Sequence, residues 1–77
     1  MGIIMKKIPK RYWDDDRWAM EHYDNLMSKY PQKWVAIVNG KVVAVADGPK
    51  DAREKARKKT GKKYIPVTFV ESGLNLY

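Results

Sequence analysis

Few side chains in this sequence of 77 residues are equipped to make or break bonds. There is no cysteine, which excludes a thiol nucleophile, a disulfide and a thiolate metal site. The single histidine, His22, stands near Glu21 and Asp24. A metal site would need more nitrogen ligands or carboxylates held in convergent geometry, so a structural or surface role is the expectation for His22. Asp14-Asp15-Asp16 lacks the spacing of a calcium loop and reads as a helix start, one aspartate capping free N–H groups and the others favouring the positive end of the helix dipole. Ser28 and Ser72 lie in no nucleophile motif, and Gly40 and Gly48 belong to turns, not to a phosphate-cradling loop. No catalytic residue, metal or cofactor is therefore expected, and the chain reads as a non-enzyme.

Binding chemistry is better represented. The formal charge is +7 and the isoelectric point about 9.7. Lys6, Lys7, Lys10 and Arg11 open the chain without an acid among them. Lys50, Arg53, Lys55, Arg57, Lys58, Lys59, Lys62 and Lys63 crowd a later segment. Between these lies an acidic run with Asp14, Asp15, Asp16, Glu21 and Asp24. Such a distribution favours an anionic partner, with a merely solvated surface as the plainer reading. Arg11-Tyr12-Trp13 and Lys62-Lys63-Tyr64 set cations beside flat rings, the combination that holds single-stranded nucleic acid. No alternating-aromatic ribonucleoprotein motif accompanies them.

The element that must organise these residues is the run from Trp34 to Ala46. Asn39-Gly40 between two β-branched stretches is a strong hairpin signal, because both central residues of a type I′ turn need positive φ. With those two as the loop, Val38 faces Lys41, Ile37 faces Val42, Ala36 faces Val43 and Trp34 faces Val45. One side then carries Trp34, Ala36, Val38, Lys41, Val43 and Val45, and the other Val35, Ile37, Val42, Ala44 and Ala46. Both sides are mostly apolar, so both need cover from this chain or from a partner. If the helices take the second side, Trp34, Val38, Val43 and Val45 form an exposed apolar patch of the kind that marks a protein interface. The alternative is that the first helix or the arm Ile3-Ile4-Met5 covers it.

On either side of the hairpin the signals are local. An amphipathic helix is predicted from the aspartate triplet to about Tyr30, with Ala19, Tyr23, Leu26, Met27 and Tyr30 on its apolar stripe, Met20 and His22 at the edges and Trp18 away from it; Pro31 stops it. Asp47-Gly48-Pro49 turns into a second helix, with Pro49 in the first turn and Gly61 at the end. Its apolar face is only Ala52 and Ala56, and Asp51 with Lys55 and Glu54 with Lys58 are spaced as acid-before-base pairs. Tyr64 to Val70 reads as a third strand, with Ile65, Val67 and Phe69 on one side and Pro66 at a strand start or edge. The start of the chain, with Lys6 and Lys7 straight after Met5, does not read as a signal peptide, and no segment approaches the ~20 apolar residues of a membrane span.

The stretch from Tyr30 to Ala44, with its Tyr-Pro-x-Lys-Trp-Val-Ala core and Asn-Gly turn, resembles a small, largely archaeal family, domain of unknown function 5678. The resemblance extends over residues 12–70, including the helix that bears Trp13 and Trp18. It implies the same hairpin followed by a helix and strand, and an accessory protein without an established active site.

The expected architecture is α+β, a small two-layer domain in the order helix-strand-strand-helix-strand. Its three-stranded sheet contains a β-hairpin and a β-α-β crossover. Residues 1–11 form a basic arm, 12–72 the domain and 73–77 a short tail. The expected function is a binding or accessory module that meets a protein partner or a second copy through Trp34, Val38, Val43 and Val45. The alternative is an RNA- or ribosome-associated protein. In either case Lys6, Lys7, Lys10, Arg11, Lys50, Arg53, Arg57, Lys58, Lys62 and Lys63 would meet the anionic partner. Composition fits a cytoplasmic protein of a thermophile.

Overall fold

A computed structural model describes residues 8–72. The elements are α1 (Lys10–Glu21), α2 (Tyr23–Lys29), β1 (Lys33–Ile37), β2 (Val42–Ala46), α3 (Pro49–Thr60) and β3 (Val67–Val70). The sheet order is β2-β1-β3, with β1 antiparallel to both neighbours. β2 and β3 therefore run in the same direction, and α3 joins them as a crossover that passes over the central strand. The α+β class and the element order are those expected from the sequence.

The turn forms where Asn-Gly placed it. Asn39 and Gly40 have φ of 55° and 71°, and the Val38 amide donates to the Lys41 carbonyl at 3.0 Å. Beyond the turn the expected register fails. Ile37 pairs with Val42, but Ala36 pairs with Ala44, Val35 with Val45 and Trp34 with Ala46. Val43 is the extra residue of a β-bulge, which leaves one residue unpaired and shifts everything after it. Because strand side chains alternate, that single residue moves Val45 to the Val35 face and brings Ala44 and Ala46 to the Trp34 face.

Helices cover both faces, so three layers stand where two were expected. On one face Ala36, Val38, Ala44 and Ala46 meet Ala52 and Ala56 of α3 and Ile65, with Trp34, Val43 and Val67 packed alongside. On the other, Val35, Ile37 and Val70 meet Ala19 of α1 and Leu26 of α2, with Trp18, Met27, Tyr30, Val42 and Val45 alongside. The bulge matches the sheet to its helices: small residues lie under the alanine stripe, and the larger Val45 lies under the bulkier pair. α3 is framed as its sequence implies, with Pro49 in the first turn and Gly61 closing it in the left-handed region.

The first helix departs from expectation at its start and at its middle. It begins at Lys10 behind Pro9, so the triplet Asp14-Asp15-Asp16 sits inside α1 and caps nothing. Lys10 and Arg11, grouped by composition with the basic arm, are helical. The helix breaks at His22, whose Nδ1–H donates to the Trp18 carbonyl at 2.9 Å while its ring stacks on the Trp18 indole. With the break, Trp18 packs inward and Met20, expected at the edge of the stripe, is 71% exposed. The arm residues Ile3, Ile4, Met5, Lys6 and Lys7 lie outside the described residues.

Asp15 has a role that no helix start would give it. Its carboxylate is buried and accepts the Asn39 amide at 3.0 Å, the Gly40 amide at 2.9 Å and the Arg11 guanidinium at 2.8 Å. Arg11 also donates to the Tyr64 carbonyl, between α3 and β3. One ion pair thus ties α1 to the hairpin tip and to the approach to β3. Asp15→Ala leaves two amides and a mostly buried guanidinium without their acceptor. It should lower stability by about 3 kcal/mol, read as a fall in the urea midpoint with unchanged slope. A loss no larger than that of an exposed-site control such as Asp24→Ala would contradict this role.

Candidate functional site

The four residues expected to form an interface do not share an open face. Val38 is 2% exposed, Trp34 and Val43 are half-buried beneath α3, and Val45 lies on the opposite face. The apolar hairpin is sheltered by its own chain. What remains open is the outermost part of the α3-side face. Trp34 and its cross-strand partner Phe69 pack at 5.4 Å between ring centroids, and Phe69 is 40% exposed.

Both sheet edges are occupied by side chains. On β2, the outward carbonyls of Val45 and Val43 accept from Lys55 Nζ at 3.4 Å and Lys59 Nζ at 3.1 Å. On β3, the Tyr23 hydroxyl donates to the Phe69 carbonyl at 3.2 Å and accepts the Glu71 amide at 2.9 Å. Cationic and polar side chains on an edge discourage a further strand from adding there. The expected pairs Asp51–Lys55 and Glu54–Lys58 do not close. Among the described residues the ion pairs are Lys10–Asp14, Arg11–Asp15 and Lys33–Asp47.

The residues proposed to meet an anion therefore separate into groups. Lys6 and Lys7 lie outside the described residues. Arg11 is committed to Asp15 and Tyr64, and Lys10 lies 3.6 Å from Asp14. Lys50, Arg57 and Lys58 are exposed on α3, Arg53 is half-buried there, and Lys62 and Lys63 are exposed just after it. Among the described residues none of these six meets an anionic side chain at ion-pairing distance. Lys63 Nζ lies over the Tyr64 ring at 5.8 Å, as the Lys-Lys-Tyr sequence suggested. Tyr12 and Trp13 meet edge to face at 5.1 Å, but their neighbour Arg11 is turned away to Asp15. The structure thus keeps the second basic-aromatic cluster as a surface; of the first it commits Arg11 to the fold and leaves Trp13 53% exposed.

Two properties of α3 orient this surface. At about 3.6 residues per turn, Lys55 and Lys59 flank one side of the Ala52–Ala56 stripe, over the β2 edge. Arg53, Arg57 and Lys50 then follow one another outward on the other flank, toward β1 and β3. The exposed acids of α3, Asp51 and Glu54, lie beyond Lys50 on its outermost side, where Glu54 borders a shallow depression with Arg57 and Lys58. The residues expected from the sequence to meet an anion do not include Lys55 and Lys59, and the i, i+4 spacing of these two next to the alanine stripe was the available sign that they reach the sheet.

The family model for a family of unknown function, DUF5678, matches residues 25–73. The chain belongs to this family. The matched segment contains the Tyr30–Ala44 stretch, α3 and β3, so the open aromatic pair and the unpaired bases both fall within it. α1, with Arg11 and Asp15, lies outside it. Comparison with curated proteins and with solved structures finds no match. No helix among the described residues is long and apolar enough to cross a membrane.

One acid near this surface is already neutralised. The Lys33 ammonium, hydrogen-bonded to the Asp47 carboxylate and attracting it, holds Asp47 below its ordinary value. The pair therefore favours the folded chain above the ordinary carboxylate range, and the benefit is lost as pH falls through the lowered value. Carboxyl NMR titration should give Asp47 a midpoint below 3.8, and Lys33→Met should return it there. A midpoint unmoved by Lys33→Met would disprove the pairing.

Proposed function

We propose that this protein is a non-enzymatic binding module whose working surface is the outer side of α3, and that its ligand is the phosphate backbone of RNA. The observation that carries the reading is the set of bases Lys50, Arg53, Arg57, Lys58, Lys62 and Lys63, gathered on one helix and its exit without an ion-pair partner among the described residues. Unneutralised bases grouped on one helix raise the local positive potential, and a polyanion that displaces its counterions onto them gains affinity that falls with salt. The net charge of +7 adds long-range attraction to the same ligand. This reading assigns the protein to the cytoplasm, where RNA is available to it. Catalysis has no place in it, since every role named is electrostatic.

A second reading is association with a protein or a second copy. It no longer rests on the hairpin, but Met20, 71% exposed beside Tyr23 and Thr68, supports it. Elution volume and sedimentation of Met20→Lys against the parent separate this reading from the first.

For the leading reading, fluorescence anisotropy with a labelled RNA should give a dissociation constant that rises steeply between about 50 and 200 mM salt. Arg57→Glu with Lys58→Glu should abolish binding while leaving far-UV dichroism unchanged, because both side chains point away from the core. Arg57→Gln alone should reduce the slope of log affinity against log salt by about 0.7. Absence of an anisotropy change at low salt, or full binding by the charge-reversed variant, would refute the reading.

A further inference from the structure

The surface on α3 ends at the corner where Trp34 and Phe69 are uncovered, and the topology explains the opening. Ala46, Trp34 and Phe69 form one row across the sheet, from β2 through β1 to β3. The chain leaves β2 at Ala46, enters α3 at Pro49 and returns to β3 by way of Ile65 and Pro66, at the opposite end of the sheet. α3 thus starts above the β2 end of this row and finishes near the far end of β3. Among the described residues no helix lies above the β3 end of the row. There Phe69 is 40% exposed and packed on Trp34, while Val67, nearer the return of α3, is half-buried against the α3-side core.

The flank of α3 that faces this corner has Arg53 innermost and Arg57 and Lys50 beyond, before Glu54 on the outermost side. Of the acids next to this row, Asp47 at its β2 end is held by Lys33, and Glu71, two residues beyond Phe69, is exposed. An exposed ring beside a predominantly basic flank matches a ligand with flat apolar faces strung on a regular line of negative charge. In a duplex those faces are stacked against one another and unavailable, whereas in a single strand they are free.

We propose that this corner is a base-stacking platform: an unpaired base of single-stranded RNA lies on the Phe69 ring, which Trp34 backs from below, while adjoining phosphates are met by Arg53, Arg57 and Lys50. This rests on the reading of α3 as an RNA-binding surface and narrows it to unpaired strands. Trp34 supports the ring and is not itself required to touch the base. Phe69 supplies the preference for unpaired strands, and the arginines supply the general affinity.

The test compares binding of three labelled probes of equal length, roughly ten nucleotides. They are oligouridylate, the same strand without bases, and an RNA duplex. The parent should bind oligouridylate most tightly. Phe69→Leu should weaken that complex about ten-fold and leave the abasic strand and the duplex unchanged. Phe69→Trp, which enlarges the platform, should tighten oligouridylate alone. If Phe69→Leu binds oligouridylate like the parent while the Arg57/Lys58 charge reversal abolishes binding, the platform is wrong and the α3 surface stands. If the parent binds no probe at low salt, both fail. If Phe69→Leu is unfolded, Phe69→Trp decides, and a complex no tighter than the parent's would overturn the platform. A change in oligomeric state on Phe69→Leu with oligouridylate binding intact would assign the corner to a second copy instead.

Discussion

The amides of Asn39 and Gly40 have no acceptor within the ribbon, because a two-residue turn with both φ positive points them away from the strands that it joins. Left unmatched against a packed helix, each would cost on the order of 1–3 kcal/mol. Asp15 answers both with one carboxylate, and Arg11 keeps that carboxylate in place while reaching the Tyr64 carbonyl. Trp18 closes the site from the side, near enough that a Cβ on Gly40 would meet its ring at 3.6 Å. Three segments distant in the chain, α1, the hairpin tip and the approach to β3, meet at this point. It fixes where α1 crosses the sheet, which way the hairpin tip leans and where the chain re-enters for β3.

Two economies of size follow from a domain this small. The alanine stripe of α3 buries little area, so the helix must come close to the sheet, and close approach requires small residues beneath it. The bulge at Val43 supplies them by exchanging Val45 for Ala44 and Ala46 on that face. Close approach also brings Lys55 and Lys59 within reach of the β2 carbonyls, so the helix seals the edge with its own cations. The remaining bases are then sorted by position. Those on one flank complete the sheet, and those on the other face solvent beside an uncovered pair of rings.

The sequence was legible at the turns and helix ends set by Gly and Pro, where structure depends on neighbours in the chain. Asn39-Gly40 specified the turn, Pro49 and Gly61 framed α3, and Pro66 marked the entry to β3. It was illegible where two segments meet. The run Val42-Val43-Ala44-Val45-Ala46 is apolar at every position, so alternation cannot reveal a one-residue slip, and the faces came out wrongly assigned. An aspartate triplet looks like a cap from sequence alone, because nothing local announces that a turn more than twenty residues later lacks two acceptors. The break at His22 was hidden for a related reason. A continuous apolar stripe can be drawn through it, yet only the break carries the Tyr23 hydroxyl to the edge of β3. In the candidate site, the basic helix was evident from composition. The pairing of its Arg53–Arg57 flank with Trp34 and Phe69 required the strand order.

Native-state hydrogen exchange at the Asn39 and Gly40 amides tests the organising role of Asp15 most directly. Turn amides of an ordinary hairpin exchange by small local openings. Here they should exchange only when the domain unfolds globally, with the same denaturant dependence as the central amides of β1. Exchange of those two amides at rates typical of an open turn, while the β1 amides stay protected, would contradict the account.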